Sequence, residues 1–144
     1  MSQQWSGWPS KQDYLKAKQR YSTLAPMLYQ SRLVGFTVEL PGVVGGGSTA
    51  KIRYKVYITL ANCPTSPPEA WITHPKDDAI KHRNVWHIGR GSPQAKLPLP
   101  FMCLGSFASN WSRNALGRAT TFLSFLDQVY NVLNNENPKS PARS

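Results

Sequence analysis

Lys51-Ile52-Arg53-Tyr54-Lys55-Val56-Tyr57-Ile58-Thr59-Leu60 is a strand with two unlike faces. Ile52, Tyr54, Val56, Ile58 and Leu60 fall on one side by the two-residue period; Lys51, Arg53, Lys55, Tyr57 and Thr59 fall on the other. A strand of this kind buries one face and wets the other, which predicts an antiparallel sheet covered on one side. Leu33–Leu40 repeats the pattern with Val34, Phe36, Val38 and Leu40. Between the two, Pro41–Ala50 holds Gly45-Gly46-Gly47 and predicts a flexible hairpin connection.

The cover for the apolar face comes from the chain's two ends. Ser10-Lys11-Gln12-Asp13 predicts a helix start, since the hydroxyl and the carboxylate can both cap free amides. That helix should run to about Ala25, where Pro26 discourages continuation. From Thr120 to about Asn134, Phe122, Phe125, Leu126, Val129 and Leu133 form an apolar stripe at helical spacing, expected to pack on the sheet. Cys63-Pro64-Thr65-Ser66-Pro67-Pro68 cannot be a central strand, because proline donates no ladder hydrogen bond. Glu69–Thr73 predicts a further short strand, and His74 to Phe101 is long, irregular and rich in proline and glycine. Connections of that length in a compact domain are functional or disordered. The order predicts an α+β domain over 10–138, with a loose arm at 1–9 carrying Trp5, Trp8 and Pro9, and a tail at 139–144.

Size and charge bound the function. A chain of 144 residues suits one domain and can bury a core without needing a disulfide or a metal. Two cysteines suggest free thiols in a reducing compartment, although a single bridge is compatible with the count. No apolar run approaches the roughly 18 residues that span a bilayer, and the first residues do not read as a signal peptide, so the expectation is a cytoplasmic protein without a membrane partner. The net charge of +10 predicts attraction to something acidic. Lysines and arginines are dispersed along the chain, and no nucleic-acid-binding signature accompanies them, which argues against nucleic acid as the partner.

Chemistry concentrates at Pro100-Phe101-Met102-Cys103-Leu104-Gly105, with Trp111-Ser112 eight residues beyond the cysteine. A thiol set among apolar residues before a polar stretch is either inert packing or a nucleophilic carrier. Four patches, in order, resemble the ubiquitin-conjugating enzymes. Cys63-Pro64-Thr65-Ser66-Pro67-Pro68 is similar to that family's Tyr-Pro-x-x-Pro-Pro turn, and His82-Arg83-Asn84-Val85 to its His-Pro-Asn motif. Met102-Cys103-Leu104 with Trp111-Ser112 resembles its active-site cysteine-leucine and tryptophan-serine. Asn137-Pro138-Lys139-Ser140-Pro141 is similar to the Asn-Pro-Asp-Asp-Pro segment after its second helix. The distance from Asn84 to Cys103 exceeds the family norm, Lys139 and Ser140 replace two acids, and the usual C-terminal helices are missing. The pattern most resembles the divergent bacterial members found in ubiquitin-like conjugation operons.

The resemblance implies a role for each of these residues. Cys103 would accept the C-terminal acyl group of a ubiquitin-like protein from an activating enzyme, as a thioester, and pass it to an amine of a target protein. Exchange of one thioester for another needs neither a dedicated base nor a cofactor. Asn84 would donate to the oxyanion, a contribution of roughly 3 kcal/mol in other acyl-transfer sites; the plainer alternative has it bracing its turn by local hydrogen bonds. His82 would orient the turn, Trp111 would pack beneath the active-site loop, and Ser140 would help orient the incoming amine. Lys11, Lys16, Lys18 and Arg20 on the first helix would face the activating enzyme, unless they are only a solvated face.

Other chemistry finds less support. A hydrolase dyad of Cys103 with His74, His82 or His87 has no flanking signature. The histidines and cysteines lack zinc spacing, so no metal is expected. Gly45-Gly46-Gly47 is followed by no Gly-Lys-Ser/Thr and is not a phosphate loop. Two rivals to the carrier remain: a non-catalytic module of the same fold that binds a ubiquitin-like protein, and a basic domain binding nucleic acid through Lys51, Arg53 and Lys55.

Overall fold

The computed structural model describes residues 7–60, 63, 66–91, 97–105, 111, 122–140 and 142. Trp5, Pro64, Thr65, Ser112, Thr120 and Pro141, all of which entered the sequence reading, lie outside them. Helix α1 (Lys11–Arg20) precedes strands β1 (Ala25–Tyr29), β2 (Arg32–Gly45), β3 (Ser48–Thr59) and β4 (Glu69–His74). Among the described residues, a short 3-10 turn at Asp77–Ala79, β5 (Val85–Trp86), β6 (Phe101–Met102) and helix α2 (Phe122–Asn134) follow. The six strands form one antiparallel sheet in the order β1-β2-β3-β4-β6-β5. This is an α+β arrangement.

Helix α1 begins where expected: Ser10 Oγ accepts a hydrogen bond from the Asp13 N–H at 3.1 Å. It stops at Arg20 rather than near Ala25. Residues 25–29 instead pair with β2, and Leu24 is sealed in the core. Lys18 Nζ fastens the segment after the helix by donating to the carbonyls of Ser22 and Leu24 at 3.2 and 2.8 Å. Pro26 is tolerated because β1 is the sheet's edge, where a missing donor costs little. Beyond β1, the Thr23 hydroxyl donates to the Glu39 carbonyl and accepts from its N–H, while Asn134 Nδ2 donates to the Pro41 carbonyl. Those contacts occupy backbone groups that an exposed β2 edge would offer to another strand.

The flexible connection expected at 41–50 is largely strand. Pairing continues to Gly45 opposite Ser48, around the two-residue turn Gly46-Gly47. Both turn residues have positive φ, 62° and 94°, which glycine adopts without a steric penalty.

One sheet face carries Phe36, Val38, Leu40, Tyr54, Val56, Ile58, Ala70 and Ile72, and α2 lies on it with Phe122, Phe125, Leu126, Val129 and Leu133 fully buried. At about 1.5–3 kcal/mol per buried side chain, the α2 stripe contributes on the order of 10 kcal/mol before entropic costs. Close approach needs Gly42, where a Cβ would stand 2.9 Å from both Leu133 Cβ and the Tyr54 ring.

The opposite face is basic and wet only in part. Lys51, Arg53 and Lys55 are exposed, but Trp71 is buried on the same side. Its ring lies 4.7 Å from Phe101, and its Nε1 donates to Thr59 Oγ1 at 3.1 Å. Register sets Trp71, Phe101 and Trp86 side by side across β4, β6 and β5. Gly91 (φ +94°) rests on the Trp86 ring, so a Cβ there would come within 2.7 Å of it. The 74–101 stretch is therefore folded back onto the sheet through residue 91.

Both ends are attached more firmly than the expected arm and tail. Trp8 meets Trp111 and Phe122 edge-on at 5.5 Å each. Ser140 and Ala142 are buried.

Candidate functional site

Cys103 follows directly on β6, between two core residues. Met102 is 1 % exposed and Leu104 9 %, while Cys103 itself is half-buried with a free thiol. Anchoring both neighbours in the core turns the intervening side chain the other way, as the alternation along a strand requires. The Cys103 N–H donates to the Asn84 carbonyl at 2.9 Å. Two motifs 19 residues apart in sequence thus meet through the backbone, in register with Val85–Met102 and Trp86–Phe101. Gln128 Nε2 on α2 donates to the Leu104 carbonyl at 3.3 Å and fixes the other side of the cysteine.

The 82–84 turn is a junction rather than an open catalytic loop. His82 is fully buried; its Nε2 lies 2.9 Å from the Leu133 carbonyl and its Nδ1 accepts the Asn84 N–H at 3.2 Å. That pairing calls for the neutral tautomer with the proton on Nε2. Burial pushes the imidazole below its ordinary pKa, against a smaller opposite pull from the Leu133 carbonyl and Glu136. His82 thereby ties the 82–84 turn to the Leu133 carbonyl of α2.

Asn84 spends its whole side chain on the end of α2. Nδ2 donates to the carbonyls of Val132 and Asn135 at 2.9 and 3.0 Å, and Oδ1 accepts the Asn137 N–H at 3.1 Å. Val132 belongs to the last turn of α2, whose final carbonyls have no partner inside the helix, and Asn135 and Asn137 directly follow it. Both amide hydrogens are engaged, so the geometry gives Asn84 the bracing role and leaves it no donor directed at an acyl oxygen.

Glu136 was absent from the sequence reading and proves central. Its carboxylate accepts the N–H groups of Gly46, Gly47 and Arg83 at 2.7, 3.0 and 2.8 Å, with Arg83 Nε at 3.7 Å. Burial pushes the carboxyl up, but the three backbone donors and the guanidinium outweigh it and hold the pKa below the ordinary value. The hairpin tip, the 82–84 turn and the segment after α2 are therefore tied at one carboxylate. At Gly45 a Cβ would sit 2.4 Å from His82 Cα, so the hairpin and turn touch backbone to backbone. The signal in the sequence was Gly45-Gly46-Gly47 itself: successive amides in positive-φ turns form a nest for an anion.

The remaining candidates fall into two groups. Ser140 is 7 % exposed, and its Oγ accepts the Ala142 N–H at 3.3 Å, so the hydroxyl shapes the tail. Trp111 is 2 % exposed, in edge contact with Trp8. On α1, Lys11 and Lys16 are exposed. Lys18 donates to the Leu24 carbonyl beyond α1, and Arg20 meets Asp127 of α2 at 2.6 Å. Two of the four cations expected to face an activating enzyme thus have work inside the domain.

The other thiol is chemically quiet. Burial, with a contribution from Glu69, pushes Cys63 up to about 12. His87 pairs through Nδ1 with Asp77 at 3.2 Å, and His82 is committed to Leu133. Neither histidine is thereby placed as a base for Cys103. Among the described residues, no helix is long and apolar enough to cross a membrane. Comparisons with protein-family models, with curated proteins and with solved structures found no match.

Proposed function

We propose that this chain is a ubiquitin-conjugating-type domain that carries a ubiquitin-like protein as a thioester on Cys103. The observation that supports it is the backbone bond from Cys103 to Asn84, since it joins the two most specific motifs of the resemblance beside a half-buried free thiol. In the loading step the Cys103 thiolate attacks the carbonyl of the thioester on an activating enzyme. The tetrahedral intermediate collapses with expulsion of that enzyme's thiolate, which takes up the proton Cys103 gave away. In the transfer step a neutral lysine amine of the target attacks, loses a proton, and expels the Cys103 thiolate. Bond types are nearly matched in the first exchange, so positioning matters more than acid–base power.

Within this reading Asn84, His82 and Glu136 are positioning residues. They hold the 82–84 turn against α2 and the hairpin, and through the Asn84 carbonyl they hold Cys103. Lys11 and Lys16 remain the α1 cations available to a partner. A carrier with a free thiol requires a reducing compartment, which fits a cytoplasmic location.

The test mixes the protein with its activating enzyme, ATP and a ubiquitin-like protein. The expected product is an adduct broken by free thiol, absent in Cys103→Ala and converted to a thiol-resistant ester in Cys103→Ser. Absence of any adduct with a demonstrably active pair would leave the non-catalytic binding module as the better reading.

A further inference from the structure

Strand β1 begins opposite Thr37, so from Glu39 to Pro41 β2 has no neighbouring strand on that side among the described residues. The chain leaving α1 crosses this gap at residues 20–23. Helix α2 passes it with Asp127, Tyr130 and Asn131, which share one helix face at spacings of three and four. An open cleft of about 690 Å³ remains between them, within the range of small-molecule sites. Four charges and two aromatic rings converge on it. The Arg20 guanidinium and the Tyr21 hydroxyl each donate to one oxygen of Asp127, which fixes the helix wall. On the sheet wall Arg53 reaches Glu39 only at 3.6 Å, beyond hydrogen-bond length, and the two side chains are 65 and 39 % exposed. Tyr130 is 38 % exposed, and its ring stands 6.4 Å from that of Tyr21 at 45°. Rings so tilted do not admit a flat group between them, but one can lie on the exposed side of Tyr130.

We infer that this cleft binds a nucleotide, with the base on Tyr130, the ribose hydroxyls on Glu39 and the phosphates on Arg53 beside Arg20. The inference is independent of the carrier reading, since no lining residue takes part in the Cys103 chemistry. The mixture of groups selects the ligand class. A simple anion would be drawn to the two guanidiniums but repelled by Glu39 and Asp127, and a cation would meet the reverse. A nucleotide satisfies both signs at once. Its phosphates suit the planar donor fork of arginine, and its ribose hydroxyls donate to a carboxylate. Its base stacks on an aromatic ring, with the Asn131 amide at hand for the base edge. The loose Arg53–Glu39 pair can open to receive phosphate and ribose at little cost, whereas the Arg20–Tyr21–Asp127 group holds its wall. The chain's net charge of +10 favours the approach of the phosphates.

The experiment is isothermal titration calorimetry of the full chain with ADP, pyrophosphate and adenosine, at about 0.15 M salt to screen diffuse attraction. ADP should bind roughly tenfold or more tightly than either of the other probes, because base and phosphates then act together. Tyr130→Ala should weaken ADP roughly tenfold, the yield of one base–aromatic stack, and leave pyrophosphate unchanged. Arg53→Gln should weaken ADP and pyrophosphate several-fold and leave adenosine unchanged. Glu39→Gln should remove the preference for ADP over its 2′,3′-dideoxy analogue. Arg90→Gln deletes the same charge at an exposed position outside the cleft, and it should leave all three affinities as they were. Cys103→Ala should do the same. The substituted side chains are exposed or half-buried, and far-UV circular dichroism confirms that each variant is folded. Equal affinity for ADP and pyrophosphate, or equal weakening by Arg53→Gln and Arg90→Gln, would assign the binding to net charge and overturn the inference. Absence of binding at millimolar ADP would overturn it as well.

Discussion

Replacing Asn84 by alanine removes three hydrogen bonds of 2.9, 3.0 and 3.1 Å from a residue 6 % exposed. Each neutral bond contributes about 1 kcal/mol net, and the carbonyls of Val132 and Asn135 lose partners that water replaces only in part. The expected loss is about 2–4 kcal/mol, a large share of a domain's total stability. Asn84→Asp sharpens the test, because it keeps an acceptor for the Asn137 N–H but sets a carboxylate against two carbonyl oxygens. Its folded-state pKa is therefore raised above the unfolded value. The sign follows: Asn84→Asp is least destabilised at low pH, where the acid still donates, and loses stability as pH rises through the folded pKa. Urea unfolding of both variants at pH 4 and pH 7, followed by far-UV circular dichroism, measures all of this. A loss below about 0.5 kcal/mol in Asn84→Ala would refute the bracing geometry and return the side chain to the oxyanion role.

Further outcomes follow from the same structure. Glu136→Gln should cost about 1–3 kcal/mol at neutral pH by chemical denaturation, because it turns an acceptor of three N–H bonds into a partial donor. The Glu136 carboxyl is depressed in the fold, so in the unmodified protein this stability is present above the unfolded pKa and drains away as pH falls through the folded one; a Glu136→Gln variant with unchanged acid sensitivity would contradict it. Gly91→Ala should lower stability by about 2–3 kcal/mol and perturb tryptophan fluorescence, since its Cβ would meet Trp86 at a φ of +94°. A disulfide reagent at pH 8 should give one fast phase, lost in Cys103→Ser and kept in Cys63→Ser, because Cys63 is pushed up to about 12.

Local pattern made the helix stripe of α2 and the alternation of β3 legible, since each is written within about a dozen residues. The Ser10 cap was legible for the same reason. Strand β1 was hidden because Pro26 reads as the end of a helix, while its suitability for a sheet edge depends on which neighbour it acquires. Gly45-Gly46-Gly47 read as slack; only Glu136, 89 or more residues away, makes it a fastened corner. Asn84 illustrates the limit at the site. Its motif announced that an amide mattered, but the partners that consume that amide lie 48 to 53 residues on. Burial and long-range satisfaction of backbone groups, rather than spacing, decide between a brace and a catalyst.

The most direct measurement replaces Cys103 with lysine, so that an acyl group delivered there becomes a stable amide. The Cys103→Lys protein is expressed in cells where the chain naturally occurs, and position 103 is read by tandem mass spectrometry. A second small protein joined there through its C-terminal carboxyl is the result expected of a carrier. Recovery of the variant with position 103 unmodified, while the activating enzyme is present and working, would contradict it.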